Sequence, residues 1–380
     1  MTIREDIVLE DTTLRDGEQA PGIAWSRPTK LAVLSKLIEA GVKWIEVGIP
    51  KMGGEELDFV SEARDHAKGA RLVAWNRGIE DDVRQSLDLG YDAIHIGLPT
   101  SDIHLALSVN KPRDWVCQRA RDLIAFAKDS GAYVSISAED IGRTEPSFLA
   151  EYAGIVGEAG ADRLRLSDTI GILTPEQYGE RVAIAVAATR ADVQTHCHND
   201  FGLAVANTLA GLRAGARFFH VCVNGMGERA GMPDLAQTVM VLKRLYDRDV
   251  GVHTERLTEL SQLVAHHTNA PVEPWKPVVG RNVFAHESGI HSNGVLRDSR
   301  SFEPIDPEEV GGIRRIVIGK HSGRAAIVNA LEGAGQQVDD DLMLPLLARV
   351  RSESIRTGGE LDVAALIRLY AALASPARAA

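Results

Sequence analysis

The sequence predicts an α/β protein: a (β/α)8 TIM barrel followed by a small C-terminal α+β or helical lid region. Three observations favour this fold. Short apolar runs rich in β-branched residues alternate with longer amphipathic stretches over roughly the first 250 residues. Many of these stretches end in Gly, which favours a left-handed helix terminus before the next strand. Polar residues follow the apolar runs, at the strand ends where barrels of this class build their active sites.

Eight apolar runs are the candidate strands of the barrel. In chain order they are Ile7–Leu9, Trp44–Ile49, Arg71–Trp75, Ala93–Gly97, Tyr133–Ser137, Arg163–Leu166, Asp192–Thr195 and Phe218–Val223. Helical periodicity fills the intervals between them, as in residues 29–40. Eight consecutive βα units indicate a closed barrel and not an open sheet.

The character of the chain changes near Asn269, where three prolines follow within residues 269–277. Clustered prolines are typical of an extended linker. We therefore predict a catalytic barrel with a metal site over residues 1–265, and a linker, lid segment and C-terminal helical region over residues 266–380. The helical pattern runs to about Leu373, and we expect the last six residues to fray.

The composition of the chain limits its functional class. The 380 residues are 44% hydrophobic and 25% charged, as in a globular protein, and the net charge is −11. An acidic chain without a basic run argues against nucleic acid and against an anionic membrane surface as partners. The N-terminus lacks the apolar core of a signal peptide, and no apolar stretch is long enough to span a bilayer. Three cysteines without CxxC spacing predict no disulfide framework and a cytoplasmic location.

A carboxylate and two imidazoles at predicted strand ends form a candidate metal site. Asp16 follows the first strand, and His196 and His198 end the seventh. Alternate residues of a strand face the same side, so both imidazoles can reach one ion while Cys197 points away as a small packed residue. Asp and His ligands are compatible with Mn²⁺, Mg²⁺, Co²⁺ or Zn²⁺. A polar cluster at the barrel mouth that holds no metal is the alternative interpretation.

Arg15 directly precedes the candidate ligand Asp16. Its guanidinium can stabilise a developing oxyanion without losing its charge. The alternative is a simple ion pair with Asp16 or with a nearby carboxylate. Adjacent residues point in different directions, so we expect Asp16 to face a metal and Arg15 to face a substrate.

Two further segments carry polar residues whose role the sequence leaves open. The segment from Asn224 to Met232 is a glycine-rich loop, which can bind phosphate or carboxylate through backbone N–H groups or can be a tight turn. The segment with His286, Glu287 and His291 lies beyond the proline-rich linker. It is either an ordinary surface loop or a lid that carries an acid or base.

Three ordered motifs resemble one family. They are Asp-Thr-Thr-Leu-Arg-Asp-Gly-Glu-Gln from Asp11, His-Cys-His-Asn-Asp-Phe-Gly-Leu-Ala from His196, and Asn-Gly-Met-Gly-Glu-Arg-Ala-Gly from Asn224. They look like the signatures of acetyl-CoA-dependent Claisen-condensing enzymes, the homocitrate, 2-isopropylmalate and citramalate synthases. The resemblance continues through residues 280–291 and 319–323, and it is closest to the nitrogen-fixation type of homocitrate synthase through the segment from Glu46.

The resemblance implies a role for each matching residue. Asp16, His196 and His198 would bind the divalent metal, and Arg15 would polarise the carbonyl of a 2-oxo acid. The residues that would help to seat this substrate are Gln19, Arg77, Arg143 and Thr169. Glu139 and His291 would handle protons and water, with His291 contributed by the lid, either the subunit's own or that of its partner in a homodimer.

The chain departs from the family pattern at two places. Met232 stands where many members have an asparagine near or on the metal, and a thioether is a poor ligand for a hard cation. Arg314 and Arg315 lie in a segment where some relatives place a tyrosine. These arginines would serve an unusually anionic oxo acid, or they are surface charge.

The function that follows is a metal-dependent condensation of acetyl-CoA with a 2-oxo acid of the 2-oxoglutarate type, with release of coenzyme A. The alternatives with the same chemistry are a phosphonate or phosphinate analogue of oxaloacetate, pyruvate, or 2-oxoisovalerate as acceptor. A metal-dependent lyase or aldolase is a further alternative. A non-catalytic barrel is the last, and the intact set of Arg15, Asp16, His196 and His198 argues against it.

Overall fold

Eight parallel strands close into a barrel in the computed structural model, which describes residues 2–374. The strands are β1 (Val8–Asp11), β2 (Trp44–Gly48), β3 (Arg71–Arg77), β4 (Ala93–Gly97), β5 (Tyr133–Glu139), β6 (Arg163–Asp168), β7 (Asp192–Cys197) and β8 (Phe218–Val221). Each pairs with the next in parallel, and β8 pairs with β1 to close the ring. The predicted barrel is confirmed. The last six residues, for which we expected fraying, lie outside the described range.

Helices connect the strands on the outside of the barrel. They are α1 (Arg27–Glu39), α2 (Gly54–Ala63), α3 (Glu80–Asp88), α4 (Asp102–His104), α5 (Arg113–Asp129), α6 (Pro146–Glu158), α7 (Pro175–Ala188), α8 (Ala204–Arg213), α9 (Leu235–Leu245) and α10 (Leu257–Thr268). The glycine predicted to end α1 is Gly41, whose φ of 89° is left-handed. A Cβ atom there would lie 2.4 Å from the Gly251 carbonyl oxygen, so this turn requires glycine.

Several strands extend further toward their carboxyl ends than the apolar runs predicted. β5 ends at Glu139, β6 at Asp168 and β7 at Cys197, each two residues beyond the predicted end. Backbone pairing continues through these polar residues, because a ladder depends on main-chain groups and not on the polarity of side chains. The strands therefore carry candidate site residues within their regular ends.

Aromatic side chains close the amino-terminal end of the barrel. Trp44, Tyr133 and Phe218 are the first residues of their strands. The Trp44 ring centroid lies 5.1 Å from that of Tyr133 and 5.3 Å from that of Phe218. The Arg163 guanidinium lies over Phe218, 4.8 Å from the ring centroid. Packed side chains thus fill the barrel interior at this end, opposite the end where barrels of this class bind ligands.

A buried lysine fixes the turn after β1. Lys30 on α1 is 1% exposed, and its Nζ lies 2.6 Å from Glu18 Oε2 and 2.5 Å from Glu56 Oε2. Glu18 also accepts a hydrogen bond from the backbone N–H of Trp25. A buried cation is stable only when it is paired, and here the pairing holds the turn with Arg15 and Asp16 against the helices.

The chain divides between Val272 and Glu273 into two compact units, whereas the sequence pattern placed the boundary between residues 265 and 266. α10 runs through Thr268, so this helix carries the barrel unit further along the chain than predicted. No helix among residues 2–374 has both the length and the apolar character that a membrane span requires.

The second unit is mainly helical with one short two-stranded sheet. It contains β9 (Ala285–His286), β10 (Arg315–Ile316), α11 (Gly289–Arg297), α12 (Arg324–Gly333), α13 (Met343–Thr357) and α14 (Val363–Ala374). β9 and β10 pair in parallel. Apolar residues of the last three helices form its core, among them Ile327, Leu346, Val350 and Leu366. The predicted C-terminal helical region is confirmed.

Candidate active site

A pocket of about 180 Å³ opens at the carboxyl end of the barrel. Its lining comes from β3, β4, β5, β6 and β7, and from the loops after β1, β6, β7 and β8. The lining residues are Arg15, Asp16, Gln19, Trp75, His95, Glu139, Arg165, Ser167, Thr169, His196, His198 and Glu228. Seven of these side chains were predicted as site residues, and the fold brings them to one cavity.

Asp16, His196 and His198 are close enough to bind one metal ion. One ligand atom of each lies within 4.8 Å of the others, and all three residues are buried. Asp16 Oδ1 and His198 Nδ1 are buried polar atoms that find no hydrogen-bond partner among residues 2–374. Such atoms normally cost free energy unless a ligand satisfies them. The donor set therefore fits a divalent cation, as the strand-end pattern predicted.

A chain of hydrogen bonds orients the His196 ring. His196 Nδ1 lies 2.8 Å from His220 Nδ1, and His220 Nε2 lies 2.8 Å from Glu10 Oε1. The carboxylate fixes the order of protons: His220 Nε2–H donates to Glu10, and His196 Nδ1–H donates to His220. Burial, and then neighbouring His220 and His198, lower the pKa of His196 well below its usual value. His196 is therefore neutral, with the Nε2 lone pair directed away from His220.

Arg15 pairs with carboxylates and also lines the pocket. Its Nη1 bonds to Asp16 Oδ2, its Nε lies 2.9 Å from Glu46 Oε1, and its guanidinium lies 4.9 Å from the centroid of the Trp75 ring. Burial disfavours the cation, but Glu46 and Asp16 together raise the pKa of Arg15. Both interpretations of Arg15 thus hold in part: it forms ion pairs, and it presents a permanent charge to the cavity.

Charged side chains fill the barrel interior below the pocket. Arg165 Nη2 lies 2.5 Å from Glu46 Oε2 and 3.2 Å from Glu10 Oε1, and Arg163 Nη1 lies 2.5 Å from Glu10 Oε2. These four side chains are at most 1% exposed. With Arg15, which also pairs with Asp16, three guanidinium groups face three carboxylates, those of Glu10, Glu46 and Asp16. The charges of these six groups therefore balance, and their ion pairs hold the guanidinium groups in place beneath the pocket.

Glu139 is a buried carboxyl group in the pocket wall. Desolvation raises its pKa, opposed by the charge of Arg15 and by a hydrogen bond from Ser137 Oγ at 3.3 Å. Gly97 leaves room for this arrangement, because a Cβ there would lie 2.6 Å from Trp75 and 2.7 Å from Glu139 Oε1. A carboxyl group with a raised pKa in a cleft is a candidate for proton transfer.

The residues predicted to seat substrate fall into two groups. Gln19 and Thr169 line the pocket, and Thr169 Oγ1 accepts a hydrogen bond from the backbone N–H of Asp140. Arg77 lies on the rim, 53% exposed, with Nε 2.6 Å from Asp82 Oδ2. Arg143 donates to Asp140 and lies near His104. Both arginines are held by carboxylates close in sequence, and their predicted role in binding substrate stays a prediction.

The glycine-rich loop after β8 contributes both to the pocket and to its support. Glu228 lines the cavity. Arg229 donates to Asp200 Oδ1 at 2.8 Å and to the Thr169 carbonyl oxygen at 2.7 Å, so it ties together the loops after β6 and β7. Met232 is 1% exposed. A buried thioether here supplies packing, and Arg229 supplies the cross-link between neighbouring loops.

His291 belongs to the second unit, where it is exposed on α11. Its ring stacks on Phe302 with centroids 4.2 Å apart. Nearby, His286 Nε2 lies 3.0 Å from Glu303 Oε1, which also pairs with Arg314. Arg315 pairs with Glu360. The two arginines at the second departure from the family pattern are thus engaged within this unit, and the catalytic role of His291 stays a prediction.

Several interior residues escaped the analysis of the sequence: Glu10, Trp75, His95, Arg163, Arg165 and His220. A signal was present, because they interrupt apolar strands with polar or large side chains at inward-facing positions. His95 and Arg165 each occupy such a position and line the pocket. Polar residues at the inward positions of a predicted barrel strand therefore indicate a site, as those at the end of the strand do.

The comparisons with known proteins agree with the fold. Residues 6–264 match the HMGL-like family, and residues 278–356 match the homocitrate synthase post-HMGL domain-like family. The crystal structure of the HMG-CoA lyase of Bacillus subtilis shares the barrel at a TM-score of 0.65 and 19% identity, covering 72% of this chain and 97% of that one.

Two curated relatives cover nearly the whole chain. A 2-phosphonomethylmalate synthase of Streptomyces rubellomurinus is 61% identical over 97% of this chain and 99% of its own length. Homocitrate synthase 1 of Nostoc sp. is 43% identical over 96% of both chains. The homocitrate synthase is thus the less similar of the two.

The barrel with its polar pocket defines an enzyme of the HMGL-like class. Within that class, the chain belongs to the acetyl-CoA-condensing synthases, the family of the homocitrate, 2-isopropylmalate, citramalate and phosphonomethylmalate synthases. The family predicted from the three sequence motifs is confirmed.

Proposed function

We propose that this protein condenses acetyl-CoA with 3-phosphonopyruvate, the phosphonate analogue of oxaloacetate, to form 2-phosphonomethylmalate. The observation that carries the proposal is the 61% identity to a 2-phosphonomethylmalate synthase across nearly the full length of both chains. Arg165 supports it as well, because its Nη1 is buried in the pocket lining and has no hydrogen-bond partner among the described residues, and a phosphonate group would accept from it. Our first interpretation, a 2-oxoglutarate acceptor, has weaker support from the 43% identical homocitrate synthase.

The chemical structure of 2-phosphonomethylmalate, the product proposed above, identifies the acceptor that would form it. Removing a carboxymethyl group from C2 of 2-phosphonomethylmalate leaves an oxo acid with a phosphonomethyl side chain. In the forward direction the methyl carbon of acetyl-CoA loses a proton and bonds to C2, and the carbonyl oxygen gains a proton. Water then cleaves the thioester, which leaves the new carboxylate on the product and releases free coenzyme A.

The residues of the pocket divide this work. Asp16, His196 and His198 would hold a divalent ion, Mn²⁺, Mg²⁺, Co²⁺ or Zn²⁺, which when bound would polarise the carbonyl of the oxo acid. Arg15 presents its cation to the same oxygen as negative charge develops there. Glu139, with its raised pKa, exchanges the proton with the help of His291. Gln19 and Thr169 hold the carboxylate of the acceptor.

A thiol-release assay tests the proposal. Purified protein is incubated with acetyl-CoA, one divalent metal and one acceptor at a time: 3-phosphonopyruvate, 2-oxoglutarate, oxaloacetate, pyruvate or 2-oxoisovalerate. We expect coenzyme A release to be fastest with 3-phosphonopyruvate, to stop with a chelator and to return with metal. A clear preference for 2-oxoglutarate would restore the homocitrate interpretation. Thioester cleavage of hydroxyacyl-CoA esters without condensation would identify a lyase instead.

Three further features belong to this proposal. We expect a homodimer, in which the lid segment of one subunit serves the barrel of the other. We also expect a cytoplasmic protein, because all three cysteines are free and buried. Its substrates in this proposal are two small molecules, acetyl-CoA and the oxo acid.

A further inference from the structure

Six buried polar atoms in the pocket lining have no hydrogen-bond partner within residues 2–374, and they divide by chemistry. Asp16 Oδ1 and His198 Nδ1 offer lone pairs to the metal site, and Arg15 Nε faces Glu46. The other three are Trp75 Nε1, His95 Nε2 and Arg165 Nη1. An indole and a guanidinium nitrogen can only donate. Two of these three atoms are therefore unpaired hydrogen-bond donors.

The proton on His95 follows from its neighbours. Ser135 Oγ accepts a hydrogen bond from Arg163 Nε at 2.9 Å, and it lies 2.9 Å from His95 Nδ1. We assign the Ser135 hydroxyl hydrogen to the bond with Nδ1 and the proton of the neutral ring to Nε2. Burial, and then Arg165 and Arg163, lower the pKa of His95 well below its usual value, so the ring is neutral. His95 Nε2–H is thus the third donor.

These three donors line the same pocket as the metal ligands, and Arg165 lies one inward-facing layer below His196. Trp75 and His95 are directly paired across β3 and β4. Arg165 pairs with Gln194 on β7, two residues before the level of His196. Two residues of a strand span roughly 7 Å, the distance from one inward-facing layer to the next. An oxo acid whose carbonyl end meets Asp16 and Arg15 would direct its other end toward this layer.

We infer that Trp75, His95 and Arg165 form a subsite for the distal anionic group of the acceptor, a phosphonate if the proposed function holds. Three donors from three strands suit a tetrahedral group with three oxygens, and Arg165 can donate through Nη1 while its Nη2 pairs with Glu10 and Glu46. A hydrocarbon side chain would leave all three donors unpaired, which is how a polar pocket rejects an acceptor that lacks the charged group.

Binding of 3-phosphonopyruvate and of pyruvate tests the subsite directly. Pyruvate is the same molecule with hydrogen in place of the phosphonate. Both are titrated calorimetrically into metal-loaded protein without acetyl-CoA. We expect Trp75→Phe, which removes one N–H and keeps an aromatic ring, to weaken 3-phosphonopyruvate about tenfold or more and to change pyruvate little. The matched control is Trp44→Phe, in the layer at the closed end of the barrel, which should change neither affinity.

His95 provides a second variant that leaves the buried ion pairs of Arg165 intact. His95→Leu should repeat the selective loss, and His95→Gln, whose amide can donate, should recover part of it. Equal losses for both ligands in Trp75→Phe and His95→Leu, or no loss in either, would overturn the subsite.

Failure of the subsite and failure of the proposed function give different results. If wild-type protein uses 3-phosphonopyruvate while the variants show no selective loss, the function stands and the subsite is wrong. If wild-type protein prefers 2-oxoglutarate, the proposed function is wrong. The same variants are then titrated with 2-oxoglutarate and 2-oxoisovalerate. The subsite is supported only if the variants lose affinity for 2-oxoglutarate and keep their affinity for 2-oxoisovalerate.

Discussion

His196 Nδ1 lies 2.8 Å from His220 Nδ1, so a predicted metal ligand is oriented by a histidine that is itself buried in the barrel. The chain of hydrogen bonds from His196 through His220 ends at Glu10. Arg163, His220 and Arg165 keep the Glu10 carboxylate ionised, although burial opposes its charge. A fixed tautomer and a fixed ring orientation follow from this chain of contacts. The metal site is therefore built by residues from both the rim and the interior of the barrel.

Replacing His220 should weaken metal binding without removing a ligand. His220→Leu takes away the acceptor for His196 Nδ1–H, and losses of this kind cost about 10–100-fold in metal affinity. Titration of metal-free protein with Mn²⁺ or Zn²⁺ measures the effect, with His66→Ala as a control on the exposed surface. Unchanged affinity in a folded variant would show that His220 only packs.

Removal of a ligand should have a larger effect. We expect Asp16→Asn and His198→Ala each to lose most of their metal affinity and all measurable turnover, because the first removes the anionic charge and the second the imidazole nitrogen of a three-residue set. Metal content after dialysis and coenzyme A release are the measurements. Full activity of either variant after chelator treatment would remove the metal from the mechanism.

Arg15→Lys should fold and yet lose turnover. Lysine keeps the charge, but it cannot reach Asp16, Glu46 and an oxyanion with one planar fork. Loss of one oxyanion donor costs roughly 10²–10³ in kcat in a comparable hydrolase. Steady-state kinetics with the preferred acceptor separate kcat from KM, and a change confined to KM would restrict Arg15 to substrate binding.

The sequence predicted the barrel and its rim better than its interior. Gly41 and the recurrent βα pattern carry local signals, and Asp16, His196 and His198 lie where parallel strands must end together. The pairing of Glu10 with Arg163, or of Glu46 with Arg165, joins residues more than 100 positions apart, and no local pattern encodes it. Arg77 pairs with Asp82, which is only five residues later, and its predicted role in binding substrate stays a prediction.

The lid prediction concerns His291, which lies on α11 of the second unit and stacks on Phe302. Mixing two inactive variants, Asp16→Asn and His291→Ala, under conditions that exchange subunits should restore coenzyme A release if one subunit's lid serves the other's metal site. No recovery despite proven exchange would assign His291 to its own barrel. Normal activity of His291→Ala alone would remove its catalytic role.

The last prediction concerns Asp11, a buried carboxyl group in the first motif. Burial raises its pKa to about 7, although the backbone N–H and hydroxyl of Thr13 donate to it. Between the unfolded pKa of about 4 and the folded pKa, the unfolded chain loses the proton and the folded one keeps it. Stability should therefore fall as pH rises, by about 1.4 kcal/mol per pH unit, and level off above pH 7.

Asp11→Asn tests this prediction because the amide does not titrate. The difference between its urea midpoint and that of the wild type should shift in favour of the variant from pH 5 to pH 7 and stay constant above pH 7. The exposed Asp88→Asn is the matched control. A difference between Asp11→Asn and wild type that is constant from pH 5 to 8 would contradict the raised pKa.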